Sequence, residues 1–287
     1  MPIEVKNITF TYMKKTAFEA TALKDVSLTI EDGSFTAIAG HTGSGKSTLV
    51  QMFNGILQPA AGQVLVDGID ISAKGDAAKQ AKRKVGIVFQ YPEHQLFEET
   101  VEKDIAFGPQ NMGLSAEEIT KRVKEAMDFV QLDHETFRNR SPFQLSGGQK
   151  RRAAIAGVIA LKPQYLVLDE PTAGLDPRGR EELLQRIAQL HRKEKLTVIF
   201  VSHNMDDIAR FADRVIVLDK GHVLLDGAPK KVFFHEAEIR QSGLAVPQIV
   251  ALLQKLKNGG LDVDPAQFTI EDGVNAIYKA LKRRKTC

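Results

Sequence analysis

The stretch Gly40-His41-Thr42-Gly43-Ser44-Gly45-Lys46-Ser47-Thr48 contains the phosphate-binding pattern G-x-x-x-x-G-K-[ST] in full, from Gly40 to Ser47. Glycines at 40, 43 and 45 permit positive φ and let backbone N–H groups approach phosphate without an intervening Cβ. A helix start immediately after them adds unpaired donors and a positive dipole end. Lys46 supplies a point charge toward the β and γ phosphates, and Ser47 a hydroxyl for Mg²⁺. His41, Thr42, Ser44 and Thr48 complete the loop. The chemistry on offer is nucleotide binding.

A second group of residues could act on what that loop holds. Tyr165-Leu166-Val167-Leu168-Asp169-Glu170 places two carboxylates at the exit of an apolar run. Asp169 has the position to hold a Mg²⁺ bridging the phosphates, and Glu170 to polarise a water in line with the γ-phosphate. Gln90 ends another apolar run and could reach metal and water through its side-chain oxygen. His203 follows Val198-Ile199-Phe200-Val201-Ser202 and could donate a hydrogen bond to the γ-phosphate. Glu170, His203 and Gln90 are thus the catalytic candidates, and Ser47, Gln90 and Asp169 the metal candidates. Ser146-Gly147-Gly148-Gln149 precedes the helix beginning Lys150-Arg151-Arg152, which makes a second anion site. One phosphate tail has little use for two such sites on one chain. Two chains arranged head to tail could each bring a phosphate loop to the other's second site.

These residues need strands to hold them. Phe35–Ala39, Val85–Phe89, Tyr165–Leu168, Val198–Val201 and Val215–Leu218 are continuous apolar runs, the pattern of a parallel sheet covered on both faces. Ile3–Tyr12, Ala22–Ile30 and Gly62–Gly68, the last ending in a turn, read as strands of a separate lobe. Residues 91 to 161 are mainly helical, with Ser115-Ala116-Glu117-Glu118 a helix start, and 178–194 is a polar helix. Past residue 227, Pro247 opens a helix with Ile249, Val250, Leu253 and Leu256 at helical period. A second helix starts near Thr269 and carries Val274, Ile277 and Leu281. These two helices either pack on their own core or form a subunit interface.

Composition excludes several classes. The 287 residues carry a net charge of +3, too small to argue for nucleic acid. A single cysteine, Cys287, rules out an internal disulfide and suggests a reducing compartment. The N-terminus lacks the basic and apolar regions of a signal peptide, and no apolar run approaches the ~18 residues that span a bilayer. The expectation is a cytoplasmic protein, free to sit on a membrane partner. The basic run Lys279–Lys285 reads as a solvated helix face.

The combination of Leu145-Ser146-Gly147-Gly148-Gln149, Leu168-Asp169-Glu170-Pro171, Ala173-Gly174-Leu175-Asp176 and His203 with the phosphate loop resembles an ATP-binding cassette (ABC) ATPase. The resemblance covers about residues 3 to 227. It implies a RecA-like P-loop core with an antiparallel β lobe and a helical insert at about 91–161, followed by a small C-terminal helical domain at 228–287. It implies that Tyr12 stacks on adenine, that Ser146, Gly147, Gly148 and Gln149 serve the opposite chain's ATP, and that Asp176 communicates across the dimer. Phe89-Gln90-Tyr91-Pro92-Glu93-His94-Gln95-Leu96-Phe97, Ala106-Phe107-Gly108-Pro109 and Gly243-Leu244-Ala245-Val246-Pro247 more narrowly resemble the ATPases of energy-coupling factor (ECF) transporters. The Pro-Glu-His-Gln-Leu-Phe form and the insert Thr16-Ala17-Phe18-Glu19 are similar to the second of their two paralogous ATPases. That implies a homologous ATPase partner, a transmembrane coupling subunit, small substrate-binding membrane subunits, and a peripheral place on the cytoplasmic side of the cell membrane. ATP and Mg²⁺ are the implied ligands, and vitamins or other micronutrients the implied cargo. Glu93, Leu96 and Phe97 are then a candidate coupling surface, an exposed apolar pair beside acids suited to a partner helix bearing arginine. Against this, Leu96 and Phe97 could simply be core. Cobalt or nickel importers use a similar ATPase twice. A soluble ABC protein acting on ribosomes or DNA fits less well, since there is one cassette and no heptad insert.

Overall fold

The computed structural model describes residues 1–286, with side chains described through Arg283. Cys287, on which the compartment expectation rests, lies outside the described residues, as do the side chains of Arg284 and Lys285 in the basic run.

The chain begins with two long strands, β1 (Ile3–Tyr12) and β2 (Ala20–Ile30), followed by β3 (Phe35–Ala39), α1 (Lys46–Met52), β4 (Ala61–Val66) and β5 (Ile69–Asp70). Helix α2 (Asp76–Arg83) then leads to β6 (Val85–Val88). The insert follows as a 3₁₀ turn at Pro92–Gln95, α3 (Val101–Asn111), α4 (Ala116–Phe129), α5 (His134–Phe137), a second 3₁₀ turn at Pro142–Gln144, and α6 (Gly147–Ile159). Core elements return with β7 (Tyr165–Asp169), α7 (Pro177–Glu194), β8 (Thr197–Val201), α8 (Met205–Phe211), β9 (Arg214–Asp219) and β10 (His222–Gly227). Four helices close the chain: α9 (Pro229–Phe234), α10 (Glu236–Gln241), α11 (Gln248–Asn258) and α12 (Ile270–Thr286).

Strands β2-β1-β4-β5 form an antiparallel sheet; β10-β9-β3-β8-β7-β6 form the second, parallel except for β10, which pairs antiparallel at the edge. The continuous apolar strands have the reason the sequence suggested. In β7, Leu166 and Leu168 face the core shared with the helical insert, while Tyr165 and Val167 face the core shared with the β lobe and α1. Val198 and Phe200 of β8 likewise oppose Ile199 and Val201. A strand buried on both faces has no polar side to alternate with.

Helix ends follow local chemistry. Ser115 caps α4 through Glu118 N, and Asp133 caps α5 through Thr136 N. The tail behaves differently from one expectation. Val232, Phe233, Ile239, Leu244 and Val246 belong to the cassette-side core, and a separate cluster begins at Ile249. There Ile249, Val250 and Leu253 are buried against Leu261, Val263 and Ala280, so these three cannot also be the centre of a subunit contact. The outward face of α12 carries Ile270, Val274, Tyr278 and Leu281 instead, all exposed. Helix α11 spends its apolar stripe on the nearest available surface, its own domain. Among the described residues, no helix is long and apolar enough to cross a membrane.

Candidate functional site

Sheet topology brings the chemistry to one edge. β3, β6, β7 and β8 run parallel, and their C-terminal ends deliver the phosphate loop, Gln90, Asp169-Glu170 and His203 respectively. Crevices at this end of parallel strands are where such sheets bind ligands.

The loop is braced on two sides. Gly45, at φ 105°, is the N-cap of α1, and a Cβ there would stand 2.6 Å from Ala22 O of β2. A Cβ on Gly40 would meet Leu218 O of β9 at 2.6 Å. The turn joining β9 to β10 holds a third contact: Gly221 N donates to Ser44 O at 3.1 Å, and Lys24 N donates to Gly221 O at 2.9 Å. Lys46 is buried and donates through Nζ to Gly40 O at 2.8 Å and His41 O at 3.0 Å. Desolvation lowers its pKa, opposed by the charges of Glu170 and Asp169. Ser44 Oγ is buried without a hydrogen-bond partner. His41 bridges Thr42 O through Nδ1 and Asp219 Oδ1 through Nε2, at 2.7 and 3.1 Å. Tyr12 hydroxyl and Thr48 Oγ1 are 3.0 Å apart, and the half-exposed Tyr12 ring meets Phe10 edge to face.

Asp169 is buried, and desolvation raises its pKa, partly offset by a hydrogen bond from Ser47. The buried Asp169 carboxylate and the Ser47 hydroxyl bonded to it are oxygen donors, and Gln90 at the same strand edge carries a third; oxygen donors are what a hard cation such as Mg²⁺ selects. The carboxylate's desolvation is the observation that fits this best, because a bound cation would relieve it. Glu170 adopts φ 49°, left-handed for a non-glycine residue. Its Oε2 accepts from Gln90 Nε2 and its Oε1 pairs with His203 Nδ1, both at 3.1 Å.

Ser146, Gly147, Gly148 and Gln149 lie at the start of α6. Ser146 Oγ accepts from Gln149 N at 3.4 Å while Gln149 Oε1 accepts from Ser146 N at 3.0 Å, a reciprocal capping box. Among the described residues their side-chain bonds are with one another and not with the phosphate loop. Asp176 caps α7, and the Gly179 and Arg178 N–H groups hold its carboxyl below the usual range. Gly148 and Asp176 line one cleft of about 100 Å³.

The coupling-surface expectation is corrected in part. Leu96 is buried in the insert core and is not exposed. Glu93 turns inward to Arg151, so its charge already has a partner within the chain. Phe97 alone of the three is exposed, edge to face with Phe107 at 4.9 Å. Sequence reasoning missed Asp219, which anchors His41, and Arg151, whose place in a basic run gave no sign of burial.

Comparison with known proteins agrees with this geometry. Residues 23–173 match the ABC transporter family. The energy-coupling factor transporter ATP-binding protein EcfA2 of Clostridium tetani is 52% identical over 286 residues, covering 100% of this chain and 99% of that one. The chain belongs to the ECF-type ABC ATPases. An ECF ATPase of the same name from Enterococcus faecalis is 48% identical, covering 98% of each chain. Among solved structures, cbiO1 of Clostridium perfringens, part of the ABC transporter complex cbiONQ, superposes with a TM-score of 0.72 at 39% identity, covering 88% of this chain and 98% of that one. An ATP-binding cassette solved as a dimer in a post-hydrolysis state with ADP and Pi superposes at 0.71 with 34% identity, covering 79% and 98%. This ECF ATPase therefore binds and hydrolyses ATP in the service of transport, with membrane transporter partners.

Proposed function

We propose that this ATPase works as one of two homologous subunits beneath a transmembrane coupling subunit, energising uptake of vitamins or other micronutrients captured by small membrane subunits. The observation that carries the chemical part is Glu170, held between Gln90 and His203 directly after the buried Asp169. Lys46 and the loop from Gly40 to Thr48 bind and orient the phosphates, and Tyr12 stacks on the base. Ser47, Asp169 and Gln90 hold Mg²⁺, which when bound offsets phosphate charge during transfer. Glu170 accepts a proton from the attacking water, and His203 donates toward the phosphoryl oxygens. Ser146 to Gln149 of one ATPase complete the site of the other, with Asp176 at the junction. Residues 228–287 hold the pair together, through the outward face of α12. Phe97 contributes to the surface that meets the coupling subunit.

A second reading concerns cargo. The motifs' resemblance to cobalt or nickel importers, which use a similar ATPase twice, makes a metal ion the alternative cargo. Co-purification of this chain with its membrane subunits, followed by identification of the small one, separates the two. Recovery of the chain without any membrane protein would remove the transport assembly from the reading.

A further inference from the structure

Among the described residues one arginine is buried, Arg151, at 3% exposure. It lies one turn into α6, the helix whose start Ser146 caps. Its Nε stands 3.5 Å from Glu93 Oε2, within ion-pair range. Hydrogen bonding is another matter: Glu93 Oε2, Arg151 Nε and Arg151 Nη2 are all buried without a hydrogen-bond partner. On its other side the guanidinium meets the loop leading to Asp176, where a Cβ on Gly174 would lie 3.6 Å from Nη1.

Three segments therefore converge on one cation. Glu93 sits in the 3₁₀ turn that follows Gln90, Arg151 is in the helix that presents Ser146 to Gln149, and Gly174 belongs to the loop between Glu170 and Asp176. A buried charge short of hydrogen bonds is costly, and an apolar side chain of similar volume would fill the same space at less cost. The pair as it stands is a poor way to stabilise a fold. Charge-assisted bonds form at about 2.7–2.9 Å, so a displacement of under ~1 Å between the 92–95 turn and α6 would satisfy it. Gln90, three residues upstream of Glu93, donates to Glu170 Oε2 at 3.1 Å.

We propose that Arg151 is a positioning residue for hydrolysis. Its guanidinium closes on Glu93 when Gln90 engages nucleotide, so that Gln90, the start of α6 and the Asp176 loop move as one body. The proposal rests on the reading of Gln90 as a nucleotide contact.

The test uses the full-length chain in its assembled state, with Arg151→Met, Arg151→Lys, Glu93→Gln and the Arg151→Met/Glu93→Gln pair. Steady-state kcat and KM for ATP are measured, together with Tm and ATP-driven dimerisation on a Glu170→Gln background. Expected is a loss of about tenfold or more in kcat for Arg151→Met and for Glu93→Gln, with KM within about twofold. The double variant should be no worse than either single, since both break one linkage. Arg151→Lys should recover part of kcat, because it keeps the charge and loses the fork. Dimerisation should need about tenfold more ATP in the single variants. Wild-type kcat in Arg151→Met and Glu93→Gln, or losses that multiply in the double variant, would overturn the proposal. So would losses that only track a fall in Tm. Glu93 lies in a surface turn, so Glu93→Gln decides the matter even if Arg151→Met does not fold. If Gln90→Ala leaves ATP turnover unchanged, the underlying reading of Gln90 fails instead.

Discussion

His203 Nδ1 lies 3.1 Å from Glu170 Oε1, while the other oxygen of the same carboxylate accepts from Gln90 at 3.1 Å. Both neighbours that the sequence places near the γ-phosphate are thus bonded to the acid that would act on water. One contact to each oxygen orients the carboxylate and leaves lone pairs on both, so in the proposed mechanism the two neighbours would aim the acid at a water.

Glu170→Gln should keep ATP binding and lower turnover by ~10² or more, since a positioned base contributes about 10²–10⁴. Lys46→Ala should weaken binding as well. Single-turnover hydrolysis at saturating ATP distinguishes the two, in a homodimer or with both sites of a mixed pair altered. Near-wild-type turnover in the Glu170→Gln homodimer would remove Glu170 from its role.

Asp169 is held at a cost that depends on pH. Its folded pKa lies above the unfolded value, chiefly through desolvation. Between the two values the native state binds more protons, so stability is greatest below the unfolded pKa and falls as pH rises through the folded one. At neutral pH, Asp169→Asn should therefore raise the Tm of the nucleotide-free chain by a few degrees, at about 2–4 °C per kcal/mol for larger domains. The same variant should lose most of the Tm gain that Mg²⁺ and ATP give the wild type. Thermal melts with and without Mg-ATP read both effects, and a lower Tm for the nucleotide-free variant would contradict the desolvation argument.

Leu96 and Phe97 are neighbours with opposite fates, and substitution should separate them. Leu96→Ala empties part of the insert core and should cost about 2–5 kcal/mol, visible as a lower denaturation midpoint. Phe97→Ala removes an exposed ring and should leave stability and the isolated subunit's ATPase near wild type, while transport in vesicles falls. Unchanged transport in a Phe97→Ala, Phe107→Ala double variant would place the coupling surface elsewhere.

Truncation after Gly227 removes Val232, Phe233, Ile239, Leu244 and Val246 from the cassette-side core and should destabilise the cassette itself. A cleaner probe of assembly is Val274→Glu with Tyr278→Glu, both on the exposed face of α12. The pair should loosen nucleotide-free association, read by stoichiometric co-purification in EDTA, with Tm nearly unchanged. Full retention of the partner would leave the tail a packing element of its own domain.

The nucleotide edge was legible because each of its residues terminates an apolar run. Gly40, Gln90 and His203 follow strands, and Asp169 ends one, whose two-sided burial marks them in the sequence as continuous hydrophobic stretches. Helix starts were legible for a similar reason: Ser115 and Pro247 carry local signals that no distant contact overrides. What stayed hidden depends on pairs far apart in the chain. Arg151 reads as one of three surface cations until Glu93, from another element, is seen to face it. Leu96 and Phe97 look alike in sequence, and only the packing of the insert decides which is buried. Ile249, Val250 and Leu253 show the same limit, since an amphipathic stripe declares that it will be covered and does not say by what.

The turn at Gly221 has a further consequence for how the molecule breathes. Its amide is tied to Ser44 and its carbonyl to Lys24, so the phosphate loop, the β lobe and the sheet edge share one short circuit of backbone bonds. A Cβ at Gly221 would stand 2.7 Å from Ala22 O, so even an alanine there must force the lobe outward. Amide exchange at Gly221 and Lys24 should then be slow with or without ATP, whereas Gln90 to Phe97 should change protection on binding. If that exchange pattern is found, the Gly221 turn is the fixed side of the site, and the proposed coupling would run from the opposite side, through the helical insert.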